Sequence, residues 1–322
     1  MSSVTVGDLY AQKSETLQLD LVFEGGRLDR EITLPDASSP GLVLAGFTDR
    51  FMSKRMHVLG ETEVEYLRSL TAQDRLDAFR PLLNDSVPCI FITKGQDLPA
   101  ELVDLAKERG VALIRSQLRT SEFYRRLTPY LTEMFAPTTT IHGSLADVFG
   151  VGLLFVGRSG IGKSECVLDL VERGHRLVAD DVVHVTRRGG DVLLGRANEM
   201  AHRYMEIRGV GIVDIQALFG IRAVRQQKRI EVVVQLQDWE SASGVDRTGL
   251  DTDTTSILDV EIPTVVVLLN PGKNITVISE VVAMAHLLRY SGVDAARDFN
   301  KALIAKMAGR RQLREYLSED YE

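Results

Sequence analysis

Cysteine and tryptophan are nearly absent from this 322-residue chain, which holds two of the first and one of the second. Cys89 and Cys166 are too few for a disulfide framework and lack the spacing of a zinc site. A basic excess is missing as well: 38 Lys and Arg against 45 Asp and Glu leave a net charge of −7 and a pI near 5.5. A protein that coats a polyanion needs the opposite balance, which argues against DNA or RNA as a bulk partner. No basic segment followed by an apolar one opens the chain, so no secretory signal is expected. The longest apolar runs, such as Val265–Leu269, fall far short of a membrane span. These absences lead us to expect a cytoplasmic protein of a reducing compartment with no membrane partner.

What is present is ordinary in amount and specific in arrangement. Hydrophobic residues at 44% and charged residues at 26% are average for a globular protein, and the length suggests two domains. In the first third, Gly41–Gly46, Val87–Thr93 and Val111–Ser116 read as buried strands, with Pro88 delaying pairing in the second until Cys89. Glu61–Leu83 and Leu98–Glu108 carry apolar residues at helical spacing, so a small α/β domain with a largely parallel sheet is expected over residues 1–134. A helix from Thr120 to Met134 follows. The stretch Ala136-Pro137-Thr138-Thr139-Thr140 has no core-forming residues and marks a domain boundary, with a second domain over 138–322. That domain ends in a helix-rich stretch, Glu280–Tyr316, interrupted near Ser291-Gly292.

The second domain opens with Val151–Val156, an apolar run suited to a strand buried on both faces. Directly after it stands Gly157-Arg158-Ser159-Gly160-Ile161-Gly162-Lys163-Ser164, a complete G-x-x-x-x-G-K-S. Its glycines allow successive N–H groups to point at one phosphate, and the helix starting near Gly162-Lys163 aims its dipole at the same anion. Lys163 is placed to reach β- and γ-phosphates and Ser164 to ligate Mg²⁺, as in a nucleotide triphosphate site. About twenty residues on, Leu177-Val178-Ala179 ends in Asp180-Asp181. A strand-end carboxylate of this kind either holds Mg²⁺, directly or through water, or takes a proton from an attacking hydroxyl. Because neighbours on a regular strand point to opposite sides, one of the two is expected in line with that hydroxyl. His142 is either a turn histidine or a group that holds a tetrahedral anion or tunes a nearby acid. Met205–Ile212, where Glu206 and Arg208 precede two closely spaced glycines, Gly209 and Gly211, suits a loop meeting metal and phosphate, or an ordinary turn. Arg247, in Asp246-Arg247-Thr248-Gly249, suits stabilisation of a transferred phosphoryl group.

These pieces, in this order, resemble bacterial HPr kinase/phosphorylase. The resemblance is carried by Ile141-His142-Gly143, Gly152–Glu165, Gly174–Asp181, Glu206–Ile212, Trp239, Asp246-Arg247 and Pro271-Gly272-Lys273-Asn274. It covers the chain from about residue 138; the first third fits only in length and α/β character. What it implies is a P-loop kinase domain resembling phosphoenolpyruvate carboxykinase, with C-terminal helices, assembling as a homohexamer. It further implies ATP with Mg²⁺ as cofactors and a seryl hydroxyl of the phosphocarrier HPr as acceptor. Inorganic phosphate would remove that phosphate again as pyrophosphate. By position Asp181 matches the general base, with Asp180 beside it; His142, Lys163, Glu206 (metal) and Arg247 match other functional positions. Two departures stand out. Arg158 replaces an often acidic or small residue, and Leu269-Asn270 precedes Pro271 where the family tends to be basic. On the residues alone, a P-loop kinase of the same fold acting on another hydroxyl stays open, as does a nucleotide-binding regulator. The first is discriminated by basic residues of the C-terminal stretch (Arg289, Arg297, Lys301, Lys306, Arg310, Arg311) facing an acidic partner. The intact Asp180-Asp181 and Arg247 argue against the second.

Overall fold

The computed structural model describes residues 4–198, 200–239, 253–270 and 274–319, with side chains as far as residue 307. The chain divides into two compact units, Met1–Ala136 and Pro137–Glu322.

The first unit runs β1 (Val4–Thr5), α1 (Val6–Leu17), β2 (Leu19–Leu21), β3 (Glu31–Ile32), β4 (Ala37–Ser38), α2 (Gly41–Leu44) and β5 (Met56–Leu59). It continues with α3 (Glu61–Ser69), α4 (Ala72–Phe79), β6 (Cys89–Ile92), α5 (Ala100–Glu108), β7 (Ala112–Ser116) and α6 (Thr120–Met134). Strands β4 to β7 lie parallel in chain order, and β2 adds antiparallel to β7. Alternate side chains feed two cores. Val58, Phe91 and Ile114 pack on α1 and α6, whereas Leu59, Ile90 and Leu113 pack on α3, α4 and α5. That two-sided burial is why the strands read as apolar runs rather than alternations.

One local expectation is corrected here and two are given finer detail. Gly41–Gly46 is not a strand: Pro40 caps a single helical turn, α2, and Gly46 at φ +96° lies just beyond its end. A short apolar run fits either state, and the Pro at its start and Gly at its end decided for the helix. Glu61–Leu83 is helical as its spacing suggests, divided into α3, α4 and a final turn. The Thr71 side chain caps α4 by accepting from Asp74 N, and Pro81 turns the end into a 3₁₀ turn over Arg80–Leu83. The Thr-rich stretch expected as linker is partly a strand, β8 (Thr138–His142), whose β-branched residues suit the edge of a sheet.

In the second unit β9 (Ser144–Val148), β10 (Val151–Val156), α7 (Lys163–Glu172), β11 (Arg176–Ala179), β12 (Val182–Arg188) and β13 (Val192–Arg196) follow β8. Next come β14 (Tyr204–Ile207), β15 (Gly211–Asp214), α8 (Ile215–Phe219), β16 (Gln227–Arg229) and β17 (Val232–Asp238). The last elements are β18 (Asp253–Ile257), β19 (Val260–Leu269), α9 (Ile275–Tyr290) and α10 (Ala295–Glu319). A six-stranded sheet, β11-β9-β10-β17-β19-β18, is parallel only through β10, β17 and β19. A four-stranded antiparallel sheet, β16-β13-β12-β8, stacks on one of its faces. Leu153 and Phe155 of β10 join α7 and α9 in one core, while Leu154 joins Val183, Val185 and Leu193 of the second sheet in another. The apolar run before the phosphate loop is therefore sandwiched on both sides, which fixes where the loop leaves the sheet.

Candidate active site

The loop Gly157–Ser164 spans the end of β10 and the start of α7. Gly157 sits at φ +152°, and a Cβ there would lie 2.7 Å from Leu236 O on β17, so no larger residue fits. Gly160 and Gly162 also hold positive φ, the backbone conformation by which such a loop turns successive N–H groups toward an anion at the N-terminus of α7. Lys163 is only 6% exposed, and its Nζ donates to Gly157 O at 3.1 Å and Arg158 O at 3.0 Å. Those two carbonyls make the buried ammonium tolerable and bend the loop around it. Ile161 is buried and anchors the loop in the core; Ser159 is exposed. Arg158 turns outward and binds both carboxylate oxygens of Asp238, at 2.7 Å and 3.0 Å. The positive charge it adds beside the loop is thus shared with a carboxylate. The Arg208 guanidinium lies against Gly160, 3.4 Å from where a Cβ would stand.

Asp180 and Asp181 are not on a regular strand. β11 stops at Ala179, and the pair forms a tight bend before β12. Asp181 holds φ +63°, and Val182 N donates across it to Asp180 O at 2.7 Å. A non-glycine residue in such a turn is strained by roughly 1–3 kcal/mol, a kind of cost that clusters at functional sites. The bend removes the premise that the two side chains must diverge, and both meet the phosphate loop region. Asp180 Oδ1 accepts from Ser164 Oγ at 3.0 Å and from Ser144 Oγ at 2.6 Å. Asp181 Oδ1 lies 3.2 Å from His142 Nδ1, and His142 Nε2 lies 3.5 Å from Lys163 Nζ. If Nδ1 carries the proton toward Asp181, the Nε2 lone pair faces the ammonium, so the three groups form one chain. His142 thus lies between the Asp181 carboxylate and the Lys163 ammonium. Asp181 remains 66% exposed, open to an incoming group. Asp180 is partly buried, and that burial raises its carboxyl above the usual carboxylate range despite the opposing hydroxyls of Ser144 and Ser164 and the Asp181 backbone N–H.

Asp180 Oδ2 is buried with no hydrogen-bond partner, beside the Ser164 hydroxyl. An unpaired buried carboxylate oxygen next to a hydroxyl suits Mg²⁺, which takes one or two protein oxygens and fills its shell with water and phosphate. Among the described residues no group of three or more His, Cys, Asp or Glu gathers as a metal cage. Glu206 is exposed on β14, which pairs with β15 as a hairpin, so the stretch expected as a flexible loop is mostly strand. Arg247 and Asp246, with Pro271–Lys273, lie outside the described residues. Sequence reasoning missed Ser144 and Asp238. A lone serine opening an apolar strand gives no signal until the strand register places it opposite Phe155.

Comparisons with known proteins bear on the family. A family model described as HPr Serine kinase N terminus matches residues 4–131, and one described as HPr Serine kinase C-terminal domain matches 133–303. A protein of Chloroherpeton thalassium named HPr kinase/phosphorylase is 44% identical, covering 99% of this chain and 97% of the relative. One of Brevibacillus brevis with the same name is 46% identical over 85% of this chain and 88% of its own. A solved structure titled Hpr(Ser) kinase/phosphatase from Coxiella burnetii shares 32% identity over 50% of this chain and 98% of that one, with a TM-score of 0.45. With both halves matched and relatives aligned along nearly its whole length, this chain belongs to the HPr serine kinase family.

Proposed function

We propose that the chain transfers the γ-phosphoryl group of ATP to a seryl hydroxyl of HPr and removes it again by phosphorolysis. Its family and the names of its relatives support the acceptor. The observation that carries the chemistry is the joining of phosphate loop and aspartate pair through Ser164–Asp180 and Lys163–His142–Asp181.

In the forward direction the loop N–H groups and Lys163 hold the β- and γ-phosphates, Lys163 exchanging its loop carbonyls for phosphate oxygens. Ser164 and the free Oδ2 of Asp180 are the oxygens offered to Mg²⁺, with Glu206 proposed on family position to join them. Bound there, Mg²⁺ would neutralise charge on the phosphates. Asp181, exposed and oriented by His142, accepts the seryl proton as the serine oxygen bonds to phosphorus and the bond to the β-phosphate bridge breaks. In reverse, an oxygen of inorganic phosphate attacks the phosphoserine phosphorus, Asp181 returns the proton to the serine oxygen, and pyrophosphate leaves. Arg247 is proposed to stabilise the transferred group.

The enzyme is proposed to act in the cytoplasm as a homohexamer. Among the described residues no helix is long and apolar enough to cross a membrane. Assembly is supported by the exposed Val277, Val281, Met284 and Leu288 at helical spacing on α9. Basic Arg289, Arg297, Lys301 and Lys306 are exposed along the C-terminal helices, as docking of an acidic partner would require.

The test is Asp181→Asn. Asparagine tolerates positive φ, so the bend persists while the proton acceptor is lost. Phosphorylation should fall by roughly 10²–10⁴-fold with ATP affinity unchanged. An active Asp181→Asn enzyme beside an inactive Asp180→Asn one would exchange the two roles.

A further inference from the structure

Asp180 is held by a residue that the reading above gives no part. Ser144 opens β9, is fully buried, and donates through Oγ to Asp180 Oδ1 at 2.6 Å. The same oxygen accepts Ser164 Oγ, which leaves Oδ2 as the buried oxygen without a partner. Two hydroxyls on one carboxylate oxygen fix the side-chain torsions and thereby fix where the other oxygen points. Ser144 is itself fixed. It pairs with Phe155 across β9 and β10, one residue before the phosphate loop's strand ends. Gly143 before it lies so close to β10 that a Cβ would sit 2.5 Å from Phe155 O. The same segment secures Asp181 as well: His142 reaches its carboxylate, and Gly143 N donates to its carbonyl at 3.0 Å. Three consecutive residues thus each hold one group of the aspartate pair.

We propose that Ser144 is a positioning residue for the nucleotide-bound divalent cation, holding Asp180 Oδ1 so that Oδ2 faces the cation beside Ser164 Oγ. The proposal rests on the kinase reading of this site. A hydroxyl one step removed from a metal typically changes affinity about 10–100-fold when removed, because the ligand it aimed becomes free to turn away.

The test is Mn²⁺ binding to the full chain with ADP present, followed by the paramagnetic resonance of free Mn²⁺, so that no turnover is needed. Ser144→Ala should weaken Mn²⁺ by about tenfold and leave metal-free ADP affinity unchanged. Ser144→Thr, which keeps the hydroxyl, should restore most of it. In an Asp180→Asn background Ser144→Ala should add nothing, since its effect runs through that carboxylate. Should Ser144→Ala fail to fold, Ser144→Cys, close in size and a weak donor, carries the same comparison. Wild-type Mn²⁺ affinity in the folded variant, or an undiminished effect in the Asp180→Asn background, overturns the proposal. A Mn²⁺ loss in Ser144→Ala, alongside a wild-type protein that transfers no phosphate to HPr, would sustain it while removing the HPr kinase reading.

Discussion

Lys163 and the aspartate pair show how few side chains the chemistry needs once the backbone has been bent around them. The lysine is buried and bound to carbonyls of its own loop, so its charge is already desolvated and aimed before a phosphate arrives. Lys163→Ala should therefore abolish transfer and phosphorolysis together, each by at least about 10²-fold, because both place a phosphate at the same spot. Near-normal phosphorolysis in that variant, measured as pyrophosphate release, would mean that two sites exist. At this scale the sequence was informative about residue types and silent about one backbone angle. The spacing of G-x-x-x-x-G-K-S prescribes a lysine and a hydroxyl at the helix start, and both are there. Asp180-Asp181 looked like a strand end, and nothing in the letters announces φ +63° at Asp181. That angle goes with the short turn to Val182 and with the bond from Gly143 N–H to the Asp181 carbonyl, the second a contact between residues distant in the chain and hence invisible in any local window.

Elements were most legible where burial is two-sided or a cap is explicit. Val151–Val156 and the helix from Lys163 follow from an apolar run and a glycine-rich turn; Gly174, just past α7, ends that helix at φ +96°. The run Gly41–Gly46 failed because its length suits one helical turn as well as a strand. Strand β5 adds a consequence that its sequence hides. His57 is 2% exposed, stacks on Phe51 with ring centres 5.0 Å apart, and has no hydrogen-bond partner on either ring nitrogen. Burial pulls its pKa down from 6.5 to about 4. Below pH 6.5 the unfolded chain takes up this proton before the folded one does, so stability is complete above that pH and drains away toward pH 4. The first unit should lose about 2 kcal/mol between neutral pH and about pH 5, seen as a lower urea midpoint. His57→Leu should remove that part of the slope. An unchanged slope in the folded variant would place the pH sensitivity elsewhere.

At the scale of the whole molecule, each unit owns its core, and every described residue proposed for catalysis belongs to the second. A fragment begun at Ala136 keeps the Pro137 carbonyl that Arg187 N donates to, so the edge strand β8 stays attached. That fragment should fold and retain Mg²⁺-dependent kinase activity; a folded, correctly assembled but inactive fragment would give the first unit a share in the site. Two-domain α/β architecture was readable from alternating strand and helix patterns, whereas the mixed six-stranded sheet was not, since β9 and β18 enter it as antiparallel hairpin partners of β10 and β19, and β11 adds antiparallel beyond β9. The account stands most directly on one measurement: the intact protein incubated with ATP, Mg²⁺ and purified HPr, with the acceptor then mapped by mass spectrometry. It predicts one added phosphoryl group on one serine of HPr, lost again, with pyrophosphate released, when ATP is replaced by inorganic phosphate. ATP bound and HPr left unmodified, or phosphate on another acceptor alone, would contradict it.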